Sequence, residues 1–233
     1  MSALFNPTLI MQCILMFRNI PGNLIVWDKI FYFYKAMNTK NKILFSSCKF
    51  DDFQSGDIIF QISKSQQSKA IQMATHSQYS HVGVIFINRG RTYVYEAVQP
   101  VKLTPIDEWI KRGENEHFVV KRLKNANEIL TKENQKKLQN EGLKFIGRKY
   151  DLYFGWSDKR IYCSELVWKI YKRALKIEVG KIDSLKNFDL ENDIVKKKLK
   201  ERYGKKIPLD MKVISPAAIF ASEELETVYD SGD

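Results

Sequence analysis

One cysteine stands where the chain can make its thiol reactive. Cys163 comes directly before apolar residues that recur at helical spacing, at Leu166, Ile170 and Ala174, and this pattern predicts a helix over residues 163–175. The thiol then lies in the first turn, where unpaired backbone N–H groups and the positive end of the helix dipole favour the thiolate. The same N–H groups are suited to bind an oxyanion beside the sulfur. Position alone does not separate this interpretation from a small buried hydrophobe, which is the usual role of a free cysteine.

A nucleophilic thiol needs a base, normally a histidine that a third polar group orients. His81 and Glu96 lie on two runs of β-type residues joined by a short turn at Arg89-Gly90, a pattern that predicts a hairpin. A two-residue turn makes His81 face Val98, so Glu96 lies on the same sheet face, about 7–8 Å from His81 at the backbone. Because an unpaired polar group is costly to bury, the two side chains are predicted to bond. The pair is either a base with its orienting carboxylate or a structural pair at the end of the sheet.

Two tyrosines and a serine near the thiol are further candidates for binding an oxyanion or the substrate. Tyr150 and Tyr162 precede Cys163 and carry hydroxyl groups that can donate to an oxyanion, while Ser164 follows it at the start of the predicted helix. For both tyrosines the favoured interpretation is packing in the core, and oxyanion binding is the alternative.

Other common catalytic and cofactor sites have no counterpart in the sequence. It contains no G-x-G, G-x-x-x-x-G-K-[ST], G-x-S-x-G, H-E-x-x-H or C-x-x-C motif. Its three histidines and three cysteines are scattered along the chain, which argues against a zinc site. We therefore predict an enzyme that uses no metal and no cofactor.

The elements that must position these residues change in type along the chain. Strands are predicted over 57–61, 81–88, 91–98 and 118–123, and helices over 68–75, 104–111, 131–146, 163–175 and 216–225. Strands gather early and helices late, which predicts an α+β domain.

Residues 1–50 differ from the rest in charge and hydropathy. They hold six of the 38 Lys and Arg residues but one of the 27 acidic residues, in a chain of net charge +11. Apolar runs at 9–17 and 24–34 are too short to span a bilayer, which takes about 20 apolar residues, and no basic residue precedes the first run as in a signal peptide. We interpret residues 1–50 as a degenerate export or membrane-association leader, or as an over-long start, and residues 51–233 as one domain.

A dense basic stretch runs from Lys196 to Lys206, with Ile194, Leu199 and Tyr203 at roughly helical spacing. It is interpreted as the solvated face of a helix, with an anion-binding patch as the alternative. No RNP-type motif, Cys/His finger or heptad repeat accompanies it, so no nucleic-acid partner is predicted.

Beyond these patterns, the sequence resembles the permuted papain-like amidase family called YaeF/YiiX. That family is similar to the NlpC-type cell-wall peptidases and to lecithin retinol acyltransferase-like enzymes. The blocks that carry the resemblance are Gly56–Gln61, Gln67–Gln72, Tyr79–Gly83, Glu96–Val98, Pro100–Pro105, Lys149–Asp151, Trp156–Asp158, Tyr162–Trp168 and Leu199–Lys205. The resemblance covers about residues 53–228 and leaves residues 1–50 outside.

The resemblance implies a circularly permuted papain-like (NlpC-type) fold, an antiparallel sheet packed on helices in which the His hairpin precedes the Cys helix. It implies a Cys-His-Glu triad with Cys163 as nucleophile, His81 as base and Glu96 as the orienting carboxylate. The expected activity is hydrolysis of amide bonds, extending to esters or thioesters, through an acyl-enzyme.

Two alternatives to hydrolysis stay open at this point. One is acyl transfer on the same fold to an amine or a lipid alcohol, and the other is a non-catalytic module that binds the cell envelope or an anionic surface. Expected substrates are cell-wall peptides, lipid-linked acyl groups or small amides. The bacterial cell envelope or periplasm is the favoured location, with a cytoplasmic or membrane-associated protein as the alternative and residues 1–50 as the membrane-associating part.

Overall fold

The computed structural model describes residue 50 and residues 52–232, so the predicted leader lies outside the described residues except for Phe50. The strands are β1 (Ile58–Ser63), β2 (His81–Asn88), β3 (Arg91–Glu96), β4 (Lys102–Pro105), β5 (Gly113–Leu123), β6 (Lys149–Tyr150), β7 (Arg160–Ile161), β8 (Asp183–Ser184), β9 (Lys212–Val213) and β10 (Leu225–Asp230). The helices are α1 (Ser68–Thr75), α2 (Ile106–Lys111), α3 (Ala126–Ile129), α4 (Lys132–Leu143), α5 (Cys163–Leu175), α6 (Asp193–Tyr203) and α7 (Pro216–Phe220). Within this part of the chain, no helix has the length and apolar character needed to cross a bilayer.

Six of the strands form one antiparallel sheet in the order β10-β5-β1-β2-β3-β4. Its inner strands are rich in β-branched and aromatic residues, which suit a buried pleated surface. The β2–β3 hairpin has the predicted two-residue turn, because Asn88 pairs with Arg91. At Gly83 a Cβ atom would lie only 2.4 Å from Val94 Cγ1 on the neighbouring strand, so the close approach of these two strands requires glycine.

Strand alternation divides the buried side chains of the sheet between two clusters. Ile58 and Phe60 belong to the main core, together with the predicted apolar stripe of α5, while Ile59 between them belongs to a smaller cluster around Trp109. Helix α5 packs against β2 and α4, and α2 packs against β3, β4 and β5. The predicted α+β class, with an antiparallel sheet packed on helices, is confirmed.

The helix predicted over 104–111 begins later than expected. Thr104 and Pro105 are part of β4, and α2 begins at Ile106. Pro105 is compatible with a strand here because β4 is at the edge of the sheet, where a missing N–H costs little. The turn signal at Thr104-Pro105 thus marks the end of a strand as well as the start of a helix.

Two other predicted helices are shorter than expected. The helix over 216–225 ends at Phe220, because Leu225 opens β10, which pairs with β5. The helix over 131–146 ends at Leu143, although it starts as predicted, with the Thr131 side chain accepting the N–H of Asn134 as a cap. The strand predicted over 81–88 has the bounds of β2, and the strand predicted over 57–61 differs from β1 by one residue at its start and two at its end. The other two differ at one end, since β3 stops two residues early at Glu96 and β5 starts five residues early at Gly113.

Candidate active site

The cysteine lies at the first position of α5, as the sequence predicts. Tyr162 before it is extended, with φ −106° and ψ 169°, so the chain turns into the helix directly at Cys163. The sulfur accepts hydrogen bonds from the backbone N–H groups of Ser164, in the first turn, and of Val82, in β2. Two donors therefore meet at the thiol, one from the helix and one from the sheet. The cysteine itself is buried, with 2% of its surface exposed.

The imidazole of His81 connects this thiol to the sheet. His81 is the first residue of β2, and its Nε2 lies 2.8 Å from Glu96 Oε2. His81 also hydrogen-bonds Cys163, which leaves Nδ1 as the ring nitrogen that faces the sulfur. The Trp109 indole stacks on the imidazole, with 5.9 Å between ring centroids and 25° between planes. The imidazole ring is thus held at both nitrogens, by Glu96 and Cys163, and on one face by Trp109.

The protonation states of His81 and Cys163 follow from their contacts. Burial lowers the pKa of His81, but its hydrogen bonds to Cys163 and Glu96 outweigh burial and raise the pKa to about 9. Burial raises the pKa of Cys163, but the hydrogen bond and positive charge of His81, helped by the two N–H groups, hold it below its usual value. Both directions favour a thiolate beside an imidazolium.

Glu96 is the fully buried anchor of the arrangement. Its Oε1 accepts hydrogen bonds from Thr104 Oγ1 and Arg112 Nη2, each at 2.5 Å, while Oε2 faces His81. Burial raises the pKa of Glu96, yet the contacts with His81 and Arg112 lower it to about 2. The carboxylate is therefore ionised with both oxygens occupied. The sequence predicted the His81–Glu96 contact but not the roles of Thr104 and Arg112.

Tyr150 is held next to the thiol by a chain of polar contacts. Arg202 Nη2 donates to Gln67 Oε1, and Gln67 Nε2 donates to the Tyr150 hydroxyl, both at 2.8 Å. Because the hydroxyl oxygen is an acceptor in this chain, its proton is free for Cys163, with which it also makes a hydrogen bond. Burial raises the pKa of Tyr150 well above its usual value, so the phenol keeps that proton.

The other two predicted oxyanion candidates use their side chains elsewhere. The Ser164 hydroxyl donates to the carbonyl oxygen of Ile214 at 2.8 Å, and the Tyr162 hydroxyl accepts the N–H of Ile214 at 3.1 Å. Both side chains thus secure the start of α5 against the segment before α7. Of the three candidates, Tyr150 is the one whose hydroxyl bonds the thiol, while Ser164 contributes its backbone N–H.

A cavity of about 910 Å³ opens in front of these residues. His81 and Tyr150 line it, and both hydrogen-bond the buried Cys163, which is not itself part of the lining. Its walls come from β1 and the segment between β1 and α1, from the segment after β3, and from β6, β7 and α6. The remaining histidines of the described chain are paired away from the thiol, His76 with Asp189 and His117 with Asp230.

A family model described as "Permuted papain-like amidase enzyme, YaeF/YiiX, C92 family" matches residues 52–229 of the chain. The chain is 52% identical over 175 residues to the uncharacterized protein YiiX of Escherichia coli (strain K12), covering 75% of this chain and 85% of that protein. A crystal structure of yiiX from Escherichia coli O157:H7, described there as a metalloprotein, superposes with a TM-score of 0.73 at 52% identity. It covers 76% of this chain and 97% of the other.

Proposed function

Because the chain belongs to the permuted papain-like amidase family YaeF/YiiX, we propose that it hydrolyses an amide bond through an acyl-enzyme on Cys163. The observation that carries this proposal is the continuous chain of contacts from Cys163 through His81 to the buried Glu96. In a cysteine hydrolase this chain supplies the nucleophile, the base and the group that orients the base. Esters and thioesters, which have better leaving groups, are expected to react at the same site.

The proposed reaction has two acyl-transfer steps. The Cys163 thiolate, whose proton rests on His81 Nδ1, attacks the acyl carbon to form a C–S bond. The imidazolium then gives that proton to the leaving nitrogen as the C–N bond breaks. Water then attacks the thioester and gives one proton to His81. The C–S bond breaks, the carboxylic acid leaves, and the thiolate–imidazolium pair of Cys163 and His81 is restored. Glu96 keeps the second imidazole proton on Nε2 throughout, since both of its oxygens are fixed.

Three hydrogen-bond donors at the Cys163 sulfur support a proposal for the oxyanion site. The backbone N–H groups of Ser164 and Val82 hydrogen-bond the sulfur, and so does the Tyr150 hydroxyl, whose oxygen accepts from Gln67. Donors fixed before the reaction stabilise the charge of a tetrahedral intermediate without reorganisation. We propose that Ser164 N–H and the Tyr150 hydroxyl bind the oxyanion.

A metal site does not fit the residues of this chain that the structure describes. No three His, Cys, Asp or Glu side chains come together there in a ligand cluster. At the thiol, both nitrogens of His81 are engaged, Nε2 with Glu96 and Nδ1 with Cys163, and the other oxygen of Glu96 faces the Arg112 guanidinium. A cation already neutralises the carboxylate, so no step of the proposed mechanism passes through a metal, although the related yiiX is described as a metalloprotein.

Mass spectrometry of the acyl-enzyme tests the proposed function. The full chain is offered a panel of cell-wall peptides, lipid-linked acyl groups and small acyl-amides, with the Cys163→Ala variant as blank and each assay run with and without a chelator. We expect an adduct on the Cys163 peptide for the substrates that are cleaved. If an added amine acceptor takes up most of the acyl group, the activity is acyl transfer and not hydrolysis. Turnover of a substrate by Cys163→Ala would overturn the proposal.

The resemblance also leads us to propose the cell envelope as the place of action, with membrane association through residues 1–50. Fractionation of cells that express the full chain, compared with a chain that starts at residue 51, tests this location. Retention of both forms in the cytoplasm would contradict it.

Replacing Tyr150 by Phe is expected to lower kcat about 100-fold, the usual effect of removing one oxyanion donor. The pocket should be preserved, because Phe keeps the ring and loses only the hydroxyl that Gln67 and Cys163 contact. Steady-state kinetics on the best substrate of the panel measures this effect. Tyr162→Phe is the matched control, since that hydroxyl bonds Ile214, and its kcat should stay within a few-fold of the parent. Equal losses in the two variants would remove Tyr150 from the oxyanion site.

A further inference from the structure

The cavity in front of the thiol has a strongly positive wall. Besides His81, five Lys and Arg side chains and one acidic side chain line it: Arg112, Lys149, Arg160, Lys198, Arg202 and Glu201. A concave surface with one sign of charge concentrates counter-ions and steers charged ligands toward it. The positive charge is concentrated locally, because four of the five cations lie on β6, β7 and α6 and the fifth, Arg112, directly follows α2, all around one opening.

Two of these cations are neutralised by contacts within the protein, and a third is engaged with a neutral group. Arg112 bonds Glu96, and the Lys198 ammonium lies 2.7 Å from Glu201 Oε2. Arg202 donates to the neutral Gln67 amide and lies over the Phe154 ring. Charge inside the protein therefore offsets Arg112 and Lys198 but not Arg202.

Lys149 and Arg160 are the two cations that nothing in the described part of the chain neutralises. Both are exposed at the cavity, and neither has an ion pair or a side-chain hydrogen bond there. They are also direct partners in the register of β6 and β7, which places two like charges side by side. Like charges on paired strand residues repel, and a bound anion would remove that repulsion.

The basic stretch noted in the sequence contributes to the same wall. Lys198 and Arg202 are four residues apart on α6, so they share one face of the helix, and that face borders the cavity. The other lysines of this stretch, including Lys196, Lys197 and Lys200, are exposed and are not part of the lining. The stretch is therefore a solvated helix face on one side and a cavity wall on the other.

From this wall we infer that the substrate carries an anionic oxygen group, a carboxylate or a phosphate, which Lys149 and Arg160 bind away from the scissile bond. The inference rests on the proposed function, because it concerns what the same cavity presents to Cys163. Arginine forms paired hydrogen bonds with either group, and lysine adds a point charge. A neutral amide would leave both side chains uncompensated.

Two alkylating reagents that differ in charge test the inference without knowledge of the natural substrate. Iodoacetate is anionic and iodoacetamide is neutral, and the ratio of their rates at Cys163 reports the potential that the thiol cavity applies to an anion. In the double variant Lys149→Gln and Arg160→Gln we expect this ratio to fall about fivefold or more at low salt, because part of the steering charge is gone. Raising the ionic strength should reduce the ratio of the parent protein as well.

A control variant removes the same net charge elsewhere. Lys132 and Lys136 are exposed on α4 and do not line the cavity, so Lys132→Gln with Lys136→Gln should leave the rate ratio at the parent value. If the double variant Lys149→Gln and Arg160→Gln, here called the cavity variant, had the same rate ratio as the control variant, the inference of an anionic substrate would be wrong. That outcome is distinct from failure of the proposed function, which would show as iodoacetamide alkylation that does not depend on His81.

A matched substrate series identifies which anion is recognised. Acyl-amides of one fluorogenic amine that end in a hydroxyl, a carboxylate or a phosphate are compared by kcat/KM. We expect at least one charged member to exceed the neutral one, and the cavity variant to lose that preference. If the phosphate member has the highest kcat/KM, the natural substrate carries a phosphate, as in a phosphorylated compound or a lipid headgroup. If the carboxylate member has the highest kcat/KM, the natural substrate is peptide-like. Preference for the hydroxyl member would overturn the inference.

Discussion

Replacing His81 by Ala should slow the alkylation of Cys163 by iodoacetamide about 100-fold or more near pH ~6, and should abolish hydrolysis. In the parent protein the hydrogen bond and charge of His81 hold the pKa of Cys163 below its usual value. Without the imidazole, burial is the dominant remaining influence and raises the pKa of the thiol. An ordinary cysteine is less than about 1% thiolate at that pH, and thiolate is the reactive form.

The pH dependence of this loss distinguishes an activated thiol from an altered pocket. As the pH rises, the thiol of His81→Ala ionises without help, so the gap between variant and parent should narrow steadily. A change in access alone would lower the rate by one factor at every pH. Rates of alkylation between about pH 5 and pH 10, followed by mass spectrometry, measure this profile.

His117 supplies the control for His81. It makes a His–carboxylate contact of the same length, 2.8 Å from Nε2 to Asp230 Oδ1, but lies away from the thiol. His117→Ala should therefore alkylate as the parent does across the pH range. If His81→Ala also kept the parent rate near pH ~6, the thiol would not be activated by His81, and the proposed hydrolase would lose its base.

The contact between His81 and Glu96 could be predicted because it depends on local rules. A two-residue turn fixes the strand register, and the register fixes which side chains share a face. Because buried polar groups must be paired, a His and a Glu on the same face are then expected to bond each other. The start of α5 at Cys163 was predictable for a similar reason, since the apolar stripe and the first turn lie within thirteen residues. The structure contains both features as expected.

The contact of Thr104 with Glu96 does not follow from the sequence pattern, because Thr104-Pro105 predicts the start of a helix where the structure has a strand. Thr104 pairs with Val94, so it shares a sheet face with Glu96 and lies diagonal to it. The same parity rule would have found it, but residues 104–105 were predicted as the start of a helix. A proline signals either a helix start or an edge strand, and only the neighbouring strand of the sheet decides between them.

Other site features depend on contacts that no local pattern encodes. The N–H of Val82 reaches Cys163 because α5 packs on β2, and Arg202 reaches Gln67 across 135 residues of sequence. Lys149 and Arg160 become neighbours through a two-residue parallel pairing, which is too short to leave a periodic signal. For such features the sequence supplies the side chains, while the packing of distant elements supplies the site.

Replacing Glu96 by Gln should lower kcat about 1,000-fold or more, although the side chain keeps its shape. Thr104 and Arg112 both donate to the Oε1 position, so the amide oxygen of Gln is held there and its NH₂ faces His81 Nε2. That donor requires an unprotonated Nε2, which puts the imidazole proton on Nδ1, where the thiol proton must be received. In a serine protease, the corresponding Asp-to-Asn change costs about 10⁴-fold by the same error of tautomer.

Loss of the carboxylate also changes the pH profile. The negative charge of Glu96 contributes to raising the pKa of His81 to about 9, so its removal lowers the pKa of His81 and, through the pair, raises the pKa of Cys163. The acidic limb of the alkylation profile should move to higher pH by about one unit or more. Glu108→Gln, which changes an exposed acid on α2 by the same charge, should leave the limb in place, and urea unfolding of both variants checks that each is folded.

A second substitution separates the tautomer explanation from simple damage to the core. Arg112 can only donate, whereas the Thr104 hydroxyl can donate or accept. With Arg112→Met added to Glu96→Gln, the amide is free to turn, giving its NH₂ to Thr104 and its oxygen to the Nε2 proton of His81. Arg112 has a side chain 42% exposed, so Met is tolerated there. We therefore expect the double variant to regain about tenfold or more of the lost kcat, whereas a double variant no more active than Glu96→Gln would show that charge or packing, and not proton placement, sets the role of Glu96.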